Sequence, residues 1–151
     1  MSKSVQHLQS ITTQDEYGTP IPLLRKALFD YDILPYLDVA ATAENRKFQN
    51  FFSKELDALK QDWNVDFFMN PPYSKAYDFM KKAYTEHQKH DVNGLILVYS
   101  KTDTKWWHEF VEDKAEVHFI KGRVKFIDAN GVLTKNSSPY PSCWIIYRVV
   151  S

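Results

Sequence analysis

The sequence holds one cysteine, Cys143, which excludes an internal disulfide framework and a multi-cysteine zinc site. Glycine is scarce, at four residues, and this argues against a Gly-rich phosphate loop. No apolar run approaches the roughly 20 residues that a membrane-spanning helix needs. The opening stretch MSKSVQHLQS also lacks the apolar centre of a signal peptide. Net charge is missing too, because 19 Lys and Arg balance 19 Asp and Glu. These absences describe a soluble protein of a reducing compartment, expected in the cytoplasm, with no membrane partner and no metal site.

What the chain has is aromatic bulk: 4 Trp, 9 Tyr and 10 Phe in 151 residues, enough for one well-filled core. The charge is also unevenly spread. Residues 1–80 carry 8 basic against 11 acidic side chains, and from Lys114 onward the count is 6 basic to 2 acidic. A basic surface on the C-terminal part suits phosphates, although a solvated face gives the same count. Residues 1–18 are polar and aperiodic and read as a flexible arm. Residues 19–151 show no repeat, linker or low-complexity tract and read as a single catalytic domain without a separate target-recognition domain.

Periodicity outlines the elements. In TPIPLLRKALFDY, Thr19 stands where a helix cap would, and Leu23, Leu24, Ala27 and Leu28 form one apolar stripe. ILPYLDVAA reads as a strand ending at Asp38, ENRKFQNFF as a helical turn or short helix, and LDALKQDW as loop or short helix. VDFFMN is a strand and SKAYDFMKKAYTEH an amphipathic helix. GLILVYS is a continuous apolar run, as in a strand buried on both faces. TDTKWWHEFV reads as a helix capped near Thr102 or Asp103, with Trp106 and Trp107 either in the core or walling a pocket. EVHFI and RVKFI alternate as strands, DANG supplies an Asn130-Gly131 turn, and SCWIIYRVV is a last strand. The order implies an α/β fold with a mostly parallel sheet, an antiparallel C-terminal edge, and helices on both faces.

Two strands end in polar residues, Asp38 and Asn70. In such a sheet, ligands gather beyond the carboxyl ends of the strands, so the expected pocket is lined by Asp38, Asn70 and Tyr73. The turn Asn70-Pro71-Pro72-Tyr73 has a specific chemistry. The Asn oxygen and the Pro71 carbonyl are two acceptors, and neither proline carries an N–H. Converging acceptors suit the two hydrogens of an exocyclic amine, and an aromatic ring suits a flat base taken out of its stack.

NPPY is the catalytic motif of amino-methyltransferases that use S-adenosylmethionine. The whole chain resembles the small phage-type DNA N-6-adenine methyltransferases, the Dam-like family. The blocks EYGTP, LDVAATAEN, LDALKQDW, FMNPPYS, TDTKWWHE, VHFIKGRVKF and NSSPYPSCWIIYR occur in that family's order, from about Glu16 to Arg148. The resemblance implies a Rossmann-like methyltransferase fold, S-adenosylmethionine as cofactor and double-stranded DNA as substrate.

It further implies roles. Asn70 and Pro71 would hold the amine, with Pro72 keeping the turn rigid and Tyr73 stacking on the base. Thr19, Pro20, Asp38, Ala40, Asn45 and Asp57, with Asn70, would line the cofactor. Ser74, Thr102, Trp107, Lys121 and Arg123 join Tyr73 on the substrate side. Several of these have a plainer reading. Thr19 and Asp38 suit caps, Asp57 a solvated helix face, and Arg123 a solvated strand. The chain departs from methyltransferases in general at the turn after Asp38, where Ala40 and Ala41 replace the glycine-rich turn.

The mechanism implied is direct attack of the amine on the sulfonium methyl, with no covalent enzyme intermediate and no strong base. Two rival readings remain. One is a methyltransferase acting on another planar amine, an RNA base or a glutamine amide. The other is a silent relative that binds DNA or a partner without turnover.

Overall fold

The computed structural model describes residues 18–41, 45–53, 56–128, 131–134 and 138–150. In chain order the elements are α1 (Ile21–Tyr31), β1 (Leu37–Asp38), β2 (Asn50–Phe51), a 3-10 turn (Ala58–Lys60) and β3 (Phe67–Met69). A second 3-10 turn (Tyr73–Lys75) leads into α2 (Ala76–His90). Then come β4 (Gly94–Tyr99), α3 (Lys105–Phe110), β5 (Glu116–Phe119) and β6 (Ser142–Tyr147).

The strands form one six-stranded sheet in the order β2-β1-β3-β4-β6-β5. β2, β1, β3 and β4 run parallel, and β6 runs antiparallel to both β4 and β5. The antiparallel strand expected at the C-terminal edge is therefore slotted inside the sheet, and β5 forms the edge. Six apolar residues of β4 face six of β6, from Gly94 opposite Tyr147 to Tyr99 opposite Ser142, so β6 buries more inside than it would outside.

Strand alternation splits the core in two. Phe67, Met69, Ile96, Val98, Cys143 and Ile145 face α2 and α3. Phe68, Leu95, Leu97, Tyr99, Trp144 and Ile146 face α1 and the segment around Val124 and Phe126. Helices thus cover both faces, and this is why β4 reads as an unbroken apolar run and β6 as a nearly unbroken one. Gly94 is required by close approach, because the Phe67 ring occupies the space a β-carbon would take. The Tyr147 hydroxyl donates to the Phe110 carbonyl and ties β6 to the end of α3.

Among the described residues, four aspartates join Gly122 and Gly131 in left-handed backbone positions. Asp32 (φ 50°) ends α1 and Asp91 (φ 52°) ends α2, each donating its N–H back into the helix. Aspartate tolerates this region because its short polar side chain bonds locally.

The arm expected over residues 1–18 lies outside the described residues except for Gly18, which pairs with Ile127 through N–H to O bonds of 2.7 and 2.9 Å. Several other expectations need correction. ENRKFQNFF forms no helix among its described residues. Asn50 and Phe51 pair with β1, and the Phe52 N–H donates to the Asp38 carbonyl, so the ladder overrides helical propensity. The helix after β4 is capped by Thr104 rather than Thr102 or Asp103, with its hydroxyl accepting from the Trp107 N–H. RVKFI is not a strand of the sheet. Ile127 makes isolated bridges to Gly18 and Leu133 instead. Asp128 and Gly131 close a turn there, and Asn130 lies outside the described residues. Among the described residues no helix is long and apolar enough to cross a membrane.

Candidate active site

β1 and β3 are neighbours, yet β2 continues the sheet on one side and β4 on the other. The strand order reverses at this point, and parallel strands diverging there leave a crevice at their carboxyl ends. Asp38 pairs in register with Phe68, so Asn70 stands just beyond it on the adjacent strand. A cavity of about 370 Å³ opens at this edge.

Asp38 lies on its floor and is only 3% exposed. Its carboxylate accepts the N–H of Lys47 at 3.0 Å and of Ala40 at 3.4 Å, so the side chain folds the following loop around itself. Burial pushes its pKa up to about 7, against the pull of those two N–H groups and of the Lys47 charge. Burial lowers the Lys47 pKa in turn, and its ammonium donates to the Asn45 carbonyl at 3.1 Å. Neither Ala40 nor Ala41 has a positive φ. Among the described residues 39–41 that follow Asp38, none is left-handed.

Asn70 is oriented from the other end of the site. Its amide nitrogen donates to the Thr19 hydroxyl at 3.1 Å, and Thr19 is 1% exposed. The expected helix-cap role for Thr19 is not found, since Pro20 holds the N-cap position of α1 and makes no side-chain cap bond. Fixing the amide nitrogen of Asn70 also fixes its oxygen, because the group is planar.

Thr19, Asp38, Ala40, Asn45, Asp57 and Asn70 all line the cavity, as do Pro72 and Ser74. Asp57 does so at the exposed rim with φ 48°, a left-handed conformation at the start of the 3-10 turn. Pro20, Pro71 and Tyr73 do not line it. Tyr73 departs from the expected three-residue pocket. The two prolines and the 3-10 turn carry its ring over the other face of the sheet, where it stacks on Tyr99 at 4.3 Å and 20°. Phe126 closes the edges of both rings, at 6.4 Å from Tyr73 and 6.2 Å from Tyr99.

The remaining candidates lie apart from the cavity. Thr102 is exposed in the turn after β4. Trp107 is buried in the core, stacked on Phe119 at 6.4 Å. Lys121 and Arg123 are exposed, and the Arg123 guanidinium donates to the Ser138 and Pro139 carbonyls at 3.3 and 2.7 Å. Sequence reasoning missed Lys47, Phe52 and Phe79 in the cavity lining. Reading 44–52 as helical gave Lys47 no place in the site, and the pairing of β2 with β1 and the bond from its N–H to Asp38 bring it to the cavity.

Residues 7–151 match the family described as DNA N-6-adenine-methyltransferase (Dam). The DNA N-6-adenine-methyltransferase of Haemophilus phage HP1 (strain HP1c1) is 30% identical over 117 residues, covering 76% of this chain and 68% of that protein. The protein of the same description from Escherichia phage T1 is 35% identical over 123 residues, 78% of this chain but 50% of the phage T1 protein. An Asn-Pro-Pro-Tyr turn at a strand-end cavity and these similarities agree, and the chain belongs to the DNA N-6-adenine-methyltransferase family, adenine-specific methyltransferases of DNA.

Proposed function

We propose that this chain transfers a methyl group from S-adenosylmethionine to the exocyclic amine of adenine in double-stranded DNA, on a base turned out of the duplex. The observation that carries the reading is the position of Asn70. It ends β3 at the point where strand order reverses, its amide is oriented by Thr19, and it borders a cavity floored by a buried carboxylate. A parallel sheet with one reversed strand inserted next to its edge supports a Rossmann-like methyltransferase fold.

The cavity suits the cofactor in size and in chemistry. Its volume of about 370 Å³ falls in the range of small-molecule sites. Asp38 offers a buried counter-charge to a cationic ligand. Asp57 offers acceptors at the rim, and Phe52, Ala58, Leu59 and Phe79 offer an apolar wall for a flat ring. Bound there, S-adenosylmethionine supplies a methyl group made electrophilic by a positive sulfur.

The residues of the turn act on the base. The Asn70 oxygen and the Pro71 carbonyl accept the two amine hydrogens, which frees the nitrogen lone pair to point at the cofactor. Pro71 and Pro72 have no N–H to compete. Tyr73, backed by Tyr99, stacks on the base, a contact worth ~1–3 kcal/mol. That offsets part of the few kcal/mol that extrusion from the duplex costs.

No side chain needs to form a covalent bond. Cys143 is buried mid-strand with its thiol pushed up to about 11 by desolvation, and it is inert at neutral pH. The amine loses its proton after attack, so positioning is the main catalytic device. Sequencing the methylome of a host that expresses the chain tests the reading. N6-methyladenine in a defined sequence context is expected, and an unmodified genome with abundant folded protein contradicts it.

A further inference from the structure

The Tyr73–Tyr99 stack does not end inside the protein. The Tyr99 ring contacts Tyr140 at 5.1 Å and 54°, and Tyr140 is 44% exposed. Over the Tyr140 ring, at 4.2 Å, sits the ammonium of Lys101, which forms no ion pair among the described residues. Three rings and one cation therefore run from the NPPY turn to the surface.

Tyr140 is held there more firmly than an exposed side chain requires. Pro139 and Pro141 flank it. Arg123 donates to the carbonyls of Ser138 and Pro139, and the Ser138 hydroxyl donates to the Tyr140 carbonyl at 3.1 Å. The Ser138 N–H reaches the Val124 carbonyl at 3.2 Å, and the Ser100 N–H reaches the Pro141 carbonyl at 2.8 Å. Arg123 thus pins this loop through its Nη1, and Lys101 is the cation that rests on the ring. A half-buried ammonium resting on an aromatic face is short of an anionic partner, and the flat ring beside it is preorganised at little entropic cost.

We infer that Lys101 and Tyr140 dock the DNA strand next to the target nucleotide, Lys101 on a backbone phosphate and Tyr140 against a neighbouring base or sugar. The inference rests on the DNA-methylation reading for the placement of the target base at Tyr73. Ring contacts of 4.3 and 5.1 Å put Tyr140 within about three nucleotide steps of Tyr73 along a strand. Val124 and Phe126 are buried while Lys121, Arg123 and Lys125 face solvent, so the strand would leave the site across a positive surface.

Fluorescence anisotropy with a labelled DNA duplex at several salt concentrations tests this, using variants with unchanged melting temperature. Lys101→Met is expected to weaken binding about three- to tenfold and to flatten the salt dependence by about one phosphate, a slope change of ~0.9. Tyr140→Ala is expected to weaken it about ten- to hundredfold, whereas Tyr140→Phe, which keeps the flat ring, stays within about twofold. Should Tyr140→Ala melt early, Tyr140→Leu keeps the bulk without the ring and should lose the same affinity.

Wild-type affinity and salt slope in both Lys101→Met and the ring-deleted variant overturn the inference, as does a wild type that does not bind DNA. A wild type that binds DNA through these residues yet leaves no N6-methyladenine sustains the inference and contradicts the methylation reading.

Discussion

The amide nitrogen of Asn70 lies 3.1 Å from the hydroxyl oxygen of Thr19, 51 residues earlier in the chain. The segment before α1 and the end of β3 thereby meet on one side chain, and the Thr19 hydroxyl selects the orientation of the Asn70 amide. Thr19→Val keeps the shape and removes the acceptor. It is expected to cost about 1–3 kcal/mol of stability in a denaturant titration. It should also lower kcat by about ten- to hundredfold, because the Asn70 amide can turn away from the amine. Thr19→Ser restores the hydroxyl and should recover most of both.

Asp38 makes a pH prediction with a definite sign. Its folded pKa is raised to about 7, against an ordinary carboxylate value of ~3.9 when unfolded. Between those values the folded state keeps a proton that the unfolded state has released. Stability from this group is thus full below pH ~4 and is lost as pH rises towards 7, by on the order of 4 kcal/mol. Asp38→Asn should flatten that part of the stability–pH curve. Binding of a cationic cofactor has the opposite dependence, since it needs the ionised carboxylate. Calorimetric affinity for S-adenosylmethionine should rise with pH to a plateau above about 7 in the wild type and stay low and flat in Asp38→Asn.

Glu86 supports the cavity wall from a distance. It is 1% exposed and accepts the Trp63 N–H at 2.7 Å, while the Trp63 indole donates to the Ala58 carbonyl at 3.0 Å. Ala58 lines the cavity. Glu86→Ala leaves the Trp63 N–H buried without its acceptor and should cost about 2–3 kcal/mol. Glu86→Gln retains an acceptor and should cost less than half as much. Urea midpoints separate the two, and only the alanine variant should also weaken cofactor binding.

The legible parts of the fold were those set by local pattern. The unbroken apolar run of β4 announced a strand buried on both faces, and the stripe from Ala76 to Tyr84 announced α2. The adjacency of Asp38 and Asn70 followed from two short strands that end in polar residues. Long-range pairing stayed hidden. Nothing local in ENRKFQNFF says that Asn50 and Phe51 join β1, so Lys47 was missed. The place of β6 inside the sheet depends on how much area its neighbours bury, and no window of sequence reports that. The rotation of Tyr73 onto Tyr99 was invisible for the same reason, because its partner lies on another strand.

The most direct measurement compares wild-type protein with Asn70→Ala, incubating each with S-adenosylmethionine and unmethylated duplex DNA and counting N6-methyladenine by nucleoside mass spectrometry. Wild type is predicted to form N6-methyladenine, and Asn70→Ala to form none while still folding cooperatively. Its stability loss should be no larger than that of Thr19→Val, about 1–3 kcal/mol, since Asn70 is half-buried at a strand end and the two variants delete the same hydrogen bond. Near-wild-type methylation by Asn70→Ala, or no methylation by folded wild type, would contradict the assignment of this turn as the site of amine activation.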